Sequence, residues 1–98
     1  MANSMKSAAF LIESRLAEAA KGDSNAYFDL GVLYSTGSEG VEVDLIEAHK
    51  WFNLASLAGH DESKTCRAEI SLEMTAREIA EAQRDARAWL QETSRRAA

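Results

Sequence analysis

Apolar residues recur along this chain at steps of three and four, the spacing that places side chains on one face of an α-helix. Met5, Ala9, Ile12, Leu16 and Ala19 predict a first helix over 5–21. Gly22 stops it, and Asp23 or Ser24 is suited to cap the next helix by accepting free backbone N–H groups. Ala26, Tyr27, Leu30, Leu33 and Tyr34 give a second helix, over 24–35, a wide apolar stripe. Gly31 lies inside it. A mid-helix glycine costs about 1 kcal/mol against alanine, so it predicts a closely crossing helix. The stretch 36–43 reads as a loop. Asp44 is a good N-cap, and Glu47 three residues on completes a capping box for a third helix to Ala58. Leu45, Ala48, Trp51, Phe52, Ala55 and Ala58 point inward there, with His49 outward, and Gly59 ends the helix. A fourth helix over 61–74 is weaker. Cys66, Ile70 and Met74 share a line, and the rest is polar. Thr75 and Glu78 form a second capping box, opening a fifth helix to Arg95 with Ile79, Ala82, Ala86, Trp89 and Leu90 buried. Arg77–Glu81 and Glu92–Arg96 pair on its wet face. No period-two pattern of a strand appears.

The helices repeat. "LAEAAKGD", Leu16 to Asp23, aligns with "LASLAGHD", Leu54 to Asp61, at an offset of 38. Each is a helix end with alternating alanines, a glycine, and an aspartate placed to cap the next helix. Helices two and three therefore form one complete pair, over about 24–59. A half-repeat precedes it and diverged capping helices come after, within a single helical domain over 1–98.

One stretch carries a resemblance. Leu30-Gly31, Tyr34, Gly37, Gly40-Val41, Asp44, Ala48, Trp51, Ala55 and Ala58-Gly59 stand at spacings similar to those of the Sel-one-like repeat, a relative of the tetratricopeptide repeat. Two departures stand out. The loop glycines are separated by two residues instead of one, and Ser56 replaces the second alanine. The resemblance implies an all-α fold of antiparallel helix pairs stacked as a short right-handed superhelical array of about five helices. It also implies a protein–protein interaction module, an adaptor or scaffold. In such arrays the first helix of each pair lines the concave surface. Asn25, Phe28, Asp29 and Val32 are then the partner-facing patch. The glycine loop reads as a structural joint, with Gly37 and Gly40 letting the chain turn back antiparallel.

Bulk composition narrows the function. The 98 residues contain no proline and are 46% hydrophobic, which suits one folded helical domain. A net charge of −5 disfavours nucleic-acid backbones. The lone cysteine, Cys66, rules out a disulfide scaffold within the chain. The apolar run "AAFLI" is shorter than a signal sequence requires, and no stretch approaches a membrane span, so a cytoplasmic location is expected.

Candidate chemistry is sparse. His60, Asp61 and Cys66 fall short of a zinc set. Cys66 shares a line with Ile70, which predicts a buried, inert thiol. Glu39, Glu42 and Asp44 lack the ladder of a calcium loop, and no phosphate-binding lysine comes after the glycines. No catalytic, metal or cofactor residues are assigned. Two alternatives to the adaptor stand. One is a self-assembling structural protein. The other is a hydrolase akin to cysteine-rich repeat relatives, whose cysteine pairs this chain lacks.

Overall fold

The computed structural model describes residues 4–97, with side chains from 7 to 96; Met5's side chain therefore lies outside the described residues. Five α-helices succeed one another: α1 (Ser4–Ala19), α2 (Ser24–Thr36), α3 (Leu45–Leu57), α4 (Glu62–Ser71) and α5 (Ala76–Ala97). A single 3₁₀ turn, Ser38–Gly40, sits between α2 and α3. There is no strand among the described residues.

Local chemistry sets the ends of these helices. The Asp23 carboxylate accepts from the Asn25 and Ala26 N–H groups at 2.9 and 3.4 Å and starts α2. Gly37 ends it in the left-handed conformation (φ 72°), its N–H donating to the Leu33 carbonyl. Asp44 starts α3 by accepting from Glu47 N–H at 3.1 Å. The return bond of that capping box does not form. Glu47 instead accepts from Trp51 Nε1 at 3.0 Å, and the Asp44 N–H donates to the Tyr34 carbonyl, which ties the loop to α2. At α5 both bonds of the box are present, Glu78 N–H to Thr75 Oγ1 at 3.1 Å and Thr75 N–H to Glu78 Oε1 at 2.9 Å.

The helices stack as antiparallel pairs around α3, which packs against α2, α4 and α5. A helix covered on three sides cannot keep one wet face. Accordingly α3 buries Ala48, His49, Trp51, Phe52, Leu54 and Ala55. His49 was expected outward and is 3% exposed, whereas Ala58, expected inward, is exposed. The helix α1 lies at an edge and covers α2 and the loop. Its buried positions are Ala8 and Ala19, with Ile12 and Leu16 half-buried; Ala9, expected inward, faces solvent. Leu90 of α5 is likewise more exposed than its stripe implies, at 41%.

An aromatic layer joins three helices. Tyr27 stacks on Trp51 with ring centres 6.0 Å apart, and Trp89 meets Trp51 edge-on at 4.8 Å. Trp89 Nε1 donates to the Tyr27 hydroxyl at 3.2 Å, linking α5 to α2. The Lys50 ammonium lies 4.4 Å from the Trp51 ring centre and closes the layer. Beside it Gly31 explains itself. A methyl group there would fall 2.5 Å from two ring carbons of Phe52, so the glycine admits that ring.

Candidate functional site

A groove of about 430 Å³ opens between α1 and α2. Leu11 and Leu33 contribute apolar floor, with Val32 and Phe28 along the α2 side. Phe28 is half-buried and held in place. Its ring stacks on His60 at 4.2 Å and tilts against Phe52 at 5.7 Å. His60 is itself fixed, because Nδ1 lies 3.0 Å from Oγ of the fully buried Ser63. This histidine is a wedge between α2 and the turn into α4.

Charge sits on the rim. Arg15 Nε lies 3.2 Å from Asp29 Oδ2, close enough for an ion pair but without hydrogen-bond alignment. Both side chains are substantially exposed, so the pair contributes less than about 1 kcal/mol. Glu39 completes the rim from the loop, and it adopts a left-handed backbone (φ 59°) that non-glycine residues avoid. Of the four residues expected to face a partner, Phe28, Asp29 and Val32 line this groove. Asn25 is exposed one turn away and does not. Leu11, Arg15 and Glu39 were missed. Their periodicity within α1 and the loop gave no sign that they meet α2.

Catalytic chemistry has little to work with. Among the described residues no group of three His, Cys, Asp or Glu side chains gathers in a metal-binding arrangement. Cys66 is half-exposed, not buried as expected, and its thiol is pushed up from the usual value by partial burial and by Glu62 and Glu69. Such a thiol is a poor nucleophile at neutral pH. Burial holds His49 below the usual imidazole value, with Arg67 adding to the effect. Its Nδ1 has no hydrogen-bond partner among the described residues.

The paired helices α2 and α3, the left-handed glycine between them and the Trp51 layer make up one repeat unit, and it is this unit that comparison picks out: residues 24–60 match the family model of the Sel1 repeat. Residues 24–60 are thus similar to a Sel1 repeat. Sel1 repeats generally mediate protein–protein interaction and are non-catalytic modules. Comparison with curated proteins and with solved structures gives no match. No described helix is long and apolar enough to cross a membrane.

Proposed function

We propose that this protein is an adaptor or scaffold whose 98 residues act as one helical domain and bind a protein partner through the α1/α2 groove. Phe28, Asp29 and Val32 form the contact surface in this reading, with Asn25 at its edge. The observation that carries it is the groove itself: an apolar floor with a mixed-charge rim and a pre-set aromatic wall. A preformed groove of this kind loses little conformational entropy on binding. The absence of a cysteine pair suits action in the reducing cytoplasm.

The test is affinity capture from the source cell's lysate with mass spectrometry, run in parallel on the parent and on Val32→Glu. One stoichiometric partner recovered by the parent and lost by the variant, at unchanged melting temperature, supports the reading. A partner retained equally by both places the binding surface elsewhere.

A second reading, self-assembly, draws on exposed apolar side chains toward both ends of the array, Phe10 at 73% and Leu72 at 88%. Recovery of the bait alone, with a mass that grows with concentration, favours it.

A further inference from the structure

On the other flank of α1 lies a larger hollow, of about 760 Å³, between that helix and the glycine loop. Its floor is apolar. Ala8 and Val41 are buried there, and Ile12 and Tyr34 are half-buried. Its rim is acidic, with Glu13 from α1 and Glu42 and Asp44 from the loop. No lysine or arginine lines it among the described residues. Asp44 uses one carboxylate oxygen to start α3. Glu13 and Glu42 are exposed and enter no ion pair among the described residues. The Tyr34 hydroxyl registers the local field: burial first, then Glu47 and Asp44, raise its pKa above the usual phenol value.

Apolar floor and uncompensated negative rim select a particular kind of occupant. A lysine or arginine has an apolar stem and a cationic head, so it matches both layers at once. A wholly apolar segment would take the carboxylates from water without pairing them. An acidic one would be repelled.

We propose that this groove docks a short, basic, amphipathic segment of a protein partner, an aliphatic side chain entering between Ile12 and Val41 while lysine or arginine cations sit against Glu13, Glu42 and Asp44. The α1/α2 groove differs in kind, because its rim already holds an Arg15–Asp29 pair. This second site is independent of whether that groove binds. The net charge of −5 adds long-range steering toward a basic partner, strongest at low salt.

The probe is a synthetic amphipathic leucine/lysine peptide, titrated into the isotope-labelled full chain while backbone amide shifts are tracked by NMR. Saturable shifts centred on Ala9, Glu13, Glu42 and Val43 are expected, and a leucine/glutamate peptide of the same pattern should give none. Glu13→Lys with Glu42→Lys should weaken binding by about tenfold or more, since like charges would then face each other. Ala9→Arg changes an exposed helix position, so the fold persists while the floor is covered, and binding should be lost. Glu69→Lys with Glu81→Lys makes the same change in net charge at remote exposed positions and should bind as the parent does. Equal weakening by the two charge-reversed pairs would reduce the effect to bulk attraction and overturn the proposal. So would shifts confined to Phe28 and Val32, an equal response to the acidic peptide, or shifts at Ala9 and Val43 produced by concentrating the protein alone, which would make the occupant a second copy.

Discussion

Phe52 occupies the space that a side chain at Gly31 would need. The ring is 2% exposed and also leans on Phe28, so it has little room to retreat. Gly31→Ala gains about 1 kcal/mol in helix propensity, but forcing a methyl into a filled core costs roughly 1–3 kcal/mol. A net loss of stability is expected in chemical denaturation, and a higher midpoint would show that the ring gives way. His49 makes a prediction of a different sort. Its folded pKa is lowered, so the unfolded chain binds the proton more readily. The stability it contributes is intact above the unfolded value of about 6.5 and declines as pH falls through it toward the folded value. Melting between about pH 7.5 and pH 5 should show this decline, and His49→Gln should flatten it. An unchanged slope would mean that His49 does not drive it. The sequence reading located Gly31 correctly because a glycine inside a helix already signals a close neighbour. It misplaced His49 because a one-face periodicity rule describes helices with a wet side, and α3 is covered on three.

At the scale of elements, all five helices were legible from apolar periodicity, weakest in α4, and capping residues mark the starts of α2, α3 and α5. The failed cap is instructive. Gly22 and Gly59 both close a helix with a left-handed turn, and the next N–H bond reaches five residues back, Asp23 to Glu18 and His60 to Ala55. These glycines are 37 residues apart, not the 38 that the aligned leucines suggest. Asp23 comes directly after its glycine and caps α2. Asp61 comes one residue later, already has helical backbone angles, and makes no cap bond. Between α2 and α3 the additional loop residue has its own cost. With two residues separating Gly37 from Gly40, Glu39 is forced to φ 59°. A side chain in that region costs about 1–2 kcal/mol, part of which a glycine returns through its freer unfolded state. Glu39→Gly should therefore raise stability by about 0.5–1 kcal/mol in urea titration. A loss instead would mean that the Glu39 carboxylate makes a stabilising contact from the rim.

In the whole molecule, repeat spacing revealed which helices pair, but not how the chain closes. The groove shows the same limit: Phe28, Asp29 and Val32 come from helix α2 alone, while Arg15 and Glu39 join them only through packing. Nor does any local pattern announce that Trp89 reaches 62 residues back to Tyr27. That bond, with the Trp51 contact, fastens α5 directly to the α2/α3 pair and passes over α4. The intervening helix packs on α3 and buries only Ser63 completely. Losing α4 would thus leave a slack tether between two segments that stay clasped without it. Such a segment belongs to the least protected part of a protein. Hydrogen exchange should release the amides of α4 well before those of α3 and α5, by a fluctuation that frees Ser63 from His60 but leaves the aromatic layer and the hollow between α1 and the glycine loop intact. Exchange of α4 in step with α5 would mean that the array comes apart only as a unit.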